Sequence, residues 1–264
     1  MRVVVTGGAG FIGQHLVEKL VMAGHIVWVY DAFTPVATGR AKIEHLLGSE
    51  NIVVGRVEDY ALFNRTIEDI KPDIVFHLAA QSHVDKSLDK PEETMITNAV
   101  GTQVVASVCA RFGCSMLYCS TDEVYGDITD RPRYRHSLES DMLHPSSPYS
   151  AGKAAGEHCV TAAGRSYNLN YVITRACNAF GLHQYPEKII PIACKMMEKG
   201  KSIPLNGGGD QIRQWIHVKE FAHALCLLGV GLYEGTLLYS TYNIAGPRSC
   251  SVVELVTKIA SAGG

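Results

Sequence analysis

The chain has 264 residues, with 24 Lys and Arg against 26 Asp and Glu and a formal net charge of −2. Its 47% hydrophobic and 19% charged residues are the composition of an ordinary globular protein, and the near-neutral balance argues against nucleic-acid or membrane-surface binding. No apolar run approaches the roughly 20 residues of a membrane span. The chain opens directly on a strand pattern with no leader-like segment, so a cytoplasmic location with no membrane partner is expected. The eight cysteines include no C-x-x-C pair, and His15, His25 and His45 have no partners at ligand spacing. Reduced buried thiols and no metal site are therefore expected.

Val3-Val4-Val5, between Arg2 and Thr6, is short, β-branched and followed by glycines, which predicts a buried parallel strand. Phe11, Ile12, Leu16 and Leu20 recur at helical spacing up to Ala23, and Gly24 stands at a C-cap position. Ile26 to Tyr30 and Ile52 to Val54 read as strands, with a helix near Tyr60 to Ile70. Ile74-Val75-Phe76 is a fourth strand, and Pro91 starts one long helix to about Phe112. Met116 to Cys119 is a fifth strand, Tyr149 to Ser166 a helix, and Tyr171 to Thr174 a sixth strand. This alternation predicts an α/β fold, a doubly wound parallel Rossmann sheet over residues 1–177 with helices on both faces. After about residue 178 the rhythm breaks into a helix at Ile189 to Lys199, a Gly207-Gly208-Gly209 turn, a strand-like Gln214 to Val218, and helices from Lys219 and over Val252 to Ile259. A smaller C-terminal lobe over 178–264, partly interleaved with the first, is expected, with the cleft at the carboxyl ends of the parallel strands.

Thr6 to Gly13 joins the first strand to the first helix, with Gly7, Gly10 and Gly13 at G-x-x-G-x-x-G spacing. Such a turn lets the amides of Gly10, Phe11 and Ile12 approach a pyrophosphate at the helix N-terminus. Asp31 ends the second strand 24 residues after Gly7, where a carboxylate accepts both adenosine ribose hydroxyls and repels a 2′-phosphate. NAD is therefore expected rather than NADP, with Arg40 nearby as the counter-indication. Leu78, Ala79 and Ala80 end the fourth strand, and the two small residues let a flat cofactor lie on the backbone; close helix–strand packing explains them equally well.

Ser120-Thr121-Asp122-Glu123 ends the fifth strand and sets two adjacent carboxyl groups where that strand stops. Tyr149 and Lys153 are spaced i and i+4, on one helix face. A lysine ammonium near a tyrosine stabilises phenolate and lowers its pKa, so the phenol can exchange protons near neutral pH. Ser120 or Thr121 can donate a hydrogen bond to a substrate hydroxyl.

With these motifs in place, the chain resembles the extended short-chain dehydrogenase/reductase family, and within it the nucleotide-sugar 4,6-dehydratases. The likeness runs through Gly7–Gly13, His77–Ser87, Ser120–Gly126, Ser147–Lys153, Asn178 with Phe180-Gly181, Tyr185–Pro191 and Gln211–Val218. It implies NAD retained through a closed cycle. Tyr149 takes the C4 hydroxyl proton as hydride leaves C4, Glu123 takes the C5 proton, Asp122 protonates the departing C6 hydroxyl, and hydride returns to C6. It places Arg56 and Val57 near the adenine, and Ser82, Thr121, Asn178, Lys188, Arg213 and Asn243 on the sugar nucleotide. It also implies a homodimer through the two long helices. Arg56, Gln81, Ala179-Phe180 and Gln214 depart from the residues frequent in relatives, the 127–145 segment is shorter than in many, and family members generally continue beyond 264. Two other readings stand beside this one. An epimerase or a UDP-glucuronate decarboxylase would use the same scaffold without Asp122 as a proton donor, and an idle NAD-binding sensor or scaffold would use no catalytic group at all.

Overall fold

The computed structural model describes residues 1–126 and 136–262; the first part of the short 127–145 segment, residues 127–135, thus lies outside the described residues. In chain order, β1 (Arg2–Thr6) leads through α1 (Phe11–Met22) to β2 (Ile26–Asp31), then through α2 (Arg40–Leu47) to β3 (Ile52–Val54). Next come α3 (Tyr60–Ile70), β4 (Ile74–His77), α4 (Val84–Asp89), α5 (Pro91–Met95), α6 (Gly101–Phe112) and β5 (Ser115–Thr121). Then α7 (Pro148–Tyr167), β6 (Tyr171–Ala176), β7 (Asn178–Phe180), α8 (Ile189–Glu198), β8 (Ile212–His217), α9 (Val218–Glu234), β9 (Thr241–Ile244), β10 (Ser249–Ser251) and α10 (Val252–Ala262) follow.

Seven strands form one sheet in the order β3-β2-β1-β4-β5-β6-β9, and every neighbouring pair is parallel. This is the expected doubly wound arrangement. Successive residues of a strand face opposite sides, and β1 shows how both sides are filled. Val3 and Val5 join Leu16, Leu20, Phe76, Phe221 and Leu225 on the face covered by α1 and α9. Val4 joins Phe63, Val105, Met116, Tyr118 and Val160 on the face covered by α3, α6 and α7.

Two departures from the sequence expectation bear on the site. The long helix from Pro91 is interrupted, because Ile96–Val100 forms a π-helical turn between α5 and α6. That wider turn directs the Asn98 amide at the Gln81 backbone, accepting from its N–H at 2.8 Å and donating to its carbonyl at 3.0 Å. The chain after residue 177 also does more than build a lobe. Its α9 covers one face of the large sheet and its β9 adds a seventh strand beside β6. This strand escaped the sequence reading because Thr-Tyr-Asn-Ile is short and carries one aliphatic residue. The remaining strands make a small sheet in the order β10-β8-β7, against which α8 and α10 belong to the outer lobe.

Candidate active site

The carboxyl ends of β1, β2, β4 and β5 lie side by side and bring the predicted motifs together. Gly7 has φ +70°, a left-handed conformation, and a Cβ on it would sit 2.7 Å from the Ala79 amide nitrogen. A Cβ on Gly13 would run into the Gly7 carbonyl oxygen. Both positions thus exclude larger residues, and the backbone of the turn stays exposed to a ligand. α1 carries no side-chain cap and no acidic residue in its first turn, so its N-terminal amides offer partial positive charge to an anion. Asp31 is 7% exposed and braces the turn, accepting from the Ala9 amide at 2.9 Å and from the Phe33 amide at 2.8 Å. Burial raises its pKa while those two amides hold it down. Arg40 is engaged elsewhere, 4.5 Å over the Phe33 ring and 2.9 Å from Glu44. These residues fit a dinucleotide: an uncapped helix terminus for the pyrophosphate and a buried carboxylate for the ribose. Val57 is buried, and the Arg56 guanidinium is exposed and paired with Glu58 at 2.5 Å. Leu78, Ala79 and Ala80 are half-buried where β4 ends, and Ser82 is exposed beyond them.

β5 is buried along its whole length, and its last residue, Thr121, caps the short turn Asp122–Tyr125 by accepting from the Glu123 amide at 3.3 Å. The Thr121 hydroxyl lies 3.4 Å from Asp122 Oδ1 and favours the ionised form of the Tyr149 phenol. Burial pushes the Asp122 carboxyl up to about 6, against the opposing pull of the Thr121 hydroxyl and the Arg213 charge. α7 starts in a capping box in which Ser147 and Ser150 serve each other's backbone amides, with Pro148 at its first turn. That fixes Tyr149 in the first turn and Lys153 one turn on. Tyr149 is half-buried, and desolvation of its phenol, with Glu123 and Cys119 adding to it, raises its pKa well above the ordinary value. This differs from the expected lowering. The cause is desolvation, which a spacing in sequence does not report. Lys153 is 3% exposed, and burial lowers its pKa against the favourable charges of Cys119 and Glu157. Lys188 joins the same site: burial lowers its pKa while Glu123 and Asp85 raise it.

The other predicted substrate residues divide. Arg213 lies on β8 at a groove of about 380 Å³ lined also by Glu187, Ile189, Ile192, Pro204 and Val252. Asn178 begins β7 opposite Trp215. Asn243 is engaged within the protein. Its Oδ1 accepts from the Tyr125 hydroxyl at 2.7 Å, its Nδ2 donates to the Ser137 carbonyl at 2.9 Å, and its amide donates to Glu139 at 2.8 Å. These contacts brace the turn that carries Asp122 and Glu123 from behind.

Sequence reasoning missed the strongest polar pair of the interior. Arg175 on β6 and Glu157 on α7 are 8% and 3% exposed and meet at 2.7 Å, and Arg175 also donates to the Tyr125 hydroxyl at 2.7 Å. An arginine at the next-to-last position of an apolar strand, and a glutamate one turn after Lys153, are the signals that point to it.

The model of the NAD dependent epimerase/dehydratase family matches residues 3–245. A probable dTDP-glucose 4,6-dehydratase of Sinorhizobium fredii is 36% identical over 271 residues, spanning 98% of this chain and 75% of the relative. The dTDP-glucose 4,6-dehydratase structure from Streptomyces venezuelae, with NAD and dTDP bound, superposes with a TM-score of 0.87 at 33% identity, covering 100% of this chain and 81% of that one. The UDP-glucose 4-epimerase of Thermotoga maritima superposes with a TM-score of 0.86 at 28% identity, over 99% of this chain and 82% of that one. A glycine turn with a buried carboxylate at the next strand, a Tyr-x-x-x-Lys helix and a match over nearly the whole length lead to one conclusion: the chain belongs to the NAD dependent epimerase/dehydratase family.

Proposed function

We propose that this chain is a nucleotide-sugar 4,6-dehydratase, converting an NDP-hexose such as dTDP-glucose to the NDP-4-keto-6-deoxyhexose with NAD as its retained cofactor. The observation that carries the reading is the pair Asp122 and Glu123 at the end of β5, beside Thr121 and Tyr149, with Asp122 pushed up to about 6. Elimination of water requires an acid that holds a proton beside a base, and burial favours the proton on Asp122. The relatives named as dTDP-glucose 4,6-dehydratases support the same choice.

NAD, when bound, supplies a positively charged nicotinamide that takes up the C4 hydride and returns it at C6. Tyr149 takes the proton of the C4 hydroxyl, which the Thr121 hydroxyl orients. The C4 ketone acidifies the C5–H, and Glu123 takes that proton. Asp122 gives its own proton to the C6 hydroxyl, which leaves as water. Glu123 then returns a proton to C5, and Tyr149 stays in reach of the C4 oxygen throughout. Arg213 suits a bidentate contact with the diphosphate, and Lys188 adds a second cation beside it. A cytoplasmic homodimer through the faces of α6 and α7 belongs to this reading, and exposed Val100 and Tyr167 support it.

The epimerase likeness gives the alternative. A 4-epimerase needs Tyr149 and no proton donor at C6, so a protonatable Asp122 favours dehydration. Incubating the protein with dTDP-glucose, UDP-glucose and GDP-mannose decides between them. Dehydration yields a 4-keto-6-deoxy product from one of them; a C4 epimer alone, or no product from any, refutes the proposal.

A further inference from the structure

Lys153 has almost no contact with water, so its ammonium depends on the groups around it. Its Nζ lies over the ring of Tyr118, 4.5 Å from the centroid. The titratable groups that act on this ammonium come from three elements, His77 on β4, Cys119 on β5 and Glu157 on α7, and Tyr149, one turn earlier on α7, faces Tyr118 and Cys119. Cys119 and Glu157 favour the charged lysine, and His77 is fully buried and neutral.

Tyr118 is itself fully buried and held from both sides. Its hydroxyl donates to the Lys153 carbonyl at 3.2 Å, and its ring stacks on His77 with centroids 5.6 Å apart and planes at 25°. α7 can come this close because residue 156 is glycine, where a Cβ would strike the Tyr118 hydroxyl. The hydrogen bonds also fix the tautomer of His77. The Thr102 hydroxyl spends its proton on the Asn98 carbonyl at 2.7 Å, so at 3.0 Å it accepts from His77 Nε2–H. His77 Nδ1 then accepts from the Thr6 hydroxyl at 2.7 Å. Thr6 is the residue before Gly7. One continuous set of contacts therefore runs from the glycine turn through a neutral imidazole and an aromatic ring to the ammonium of Lys153.

We propose that Tyr118 is a positioning residue whose ring face keeps the Lys153 ammonium charged and aimed beside Tyr149. The inference rests on the Tyr149–Lys153 reading above. A cation over an aromatic face in a dry site is held electrostatically, by the ring rather than by the hydroxyl. The sign for catalysis follows. A weaker ring face disfavours charged Lys153, which leaves the Tyr149 phenolate less stabilised, so the acid limb of the oxidation step moves to higher pH.

The test uses the full-length protein loaded with NAD and dTDP-glucose, following reduced nicotinamide in a single turnover as a function of pH. Tyr118→Phe keeps the ring and should leave the acid limb in place. Stepwise fluorination of that variant's ring keeps its shape and drains its face, and should raise the limb progressively by about one pH unit. A limb that stays put across the fluorinated series overturns the proposal. A second readout needs no substrate. In protein with isotope-labelled lysine, the Lys153 ε-methylene signal, assigned by its loss in Lys153→Met, should carry the upfield shift of a ring face and lose it in Tyr118→Leu. An ordinary shift in the unmodified protein overturns the placement. If no sugar nucleotide reduces the cofactor in the unmodified protein, the reaction reading fails, and the lysine signal still judges Tyr118.

Discussion

Asp122→Asn separates the two halves of the proposed cycle. The variant keeps the shape of the side chain and the 3.4 Å approach to Thr121 but cannot give up a proton as an acid. General acid catalysis contributes about 100- to 10,000-fold, so elimination should slow by that factor while C4 oxidation continues. The assay is single-turnover absorbance of reduced nicotinamide: it should appear at the normal rate and then persist, because the C6 carbon never becomes an acceptor. The pH dependence carries the sign. With the carboxyl pushed up to about 6, roughly a tenth of the protein holds the proton at neutral pH, and elimination in the unmodified enzyme should fall as pH rises through that value. The same burial predicts an opposite effect on stability. A group whose folded pKa is raised, here from 3.8 to about 6, stabilises the fold below its unfolded pKa and loses that contribution as pH rises through the folded one. Removing the buried charge should therefore stabilise the protein by about 2–3 kcal/mol near pH 8 and by little below pH 4. A variant that eliminates water at the normal rate, or melts at an unchanged temperature at pH 8, would refute the assigned role and the cause assigned to the shift.

Two further perturbations address the frame around the site. Glu157→Gln leaves Arg175 buried without a counter-charge and should cost about 3–5 kcal/mol in denaturant unfolding, while Glu157→Leu with Arg175→Met should recover much of it; equal losses in both variants would argue against an ion pair as the cause. His77 titrates far below its ordinary value, at about 3, because burial excludes the imidazolium. Its folded pKa is depressed, so stability should fall as pH drops below about 6.5 by up to about 1.4 kcal/mol per unit, and His77→Gln should flatten that slope. An unchanged slope would place the acid sensitivity elsewhere.

The parts of the site that were legible are those encoded locally. Gly7 and Gly13 occupy a turn that only glycine fills, and Val3 to Val5 alternate between two buried faces. Asp31 marks the end of β2 with a single residue. The rest depends on segments distant in the chain. Asn98 serves Gln81 only because a π-helical turn aims it there, and a helical hydrophobic period does not reveal that extra residue. Lys153 and Tyr149 share a helix face as their spacing implies, yet the lysine lies on a ring from β5, 35 residues earlier. The raised Tyr149 phenol is likewise a product of burial, which no pair spacing states.

The return of α9 and β9 to the large sheet also bears on how the molecule is made. Until residues 218–234 emerge from a ribosome, Leu16, Phe76 and Leu117 have no Phe221 or Leu225 to cover them. Until residues 241–244 follow, β6 offers an open edge with unpaired amides and carbonyls. A nascent chain that already carries the glycine turn and both catalytic motifs would thus still be sticky and edge-exposed, so holding chaperones would be needed most between the synthesis of Ala176 and that of Ile244.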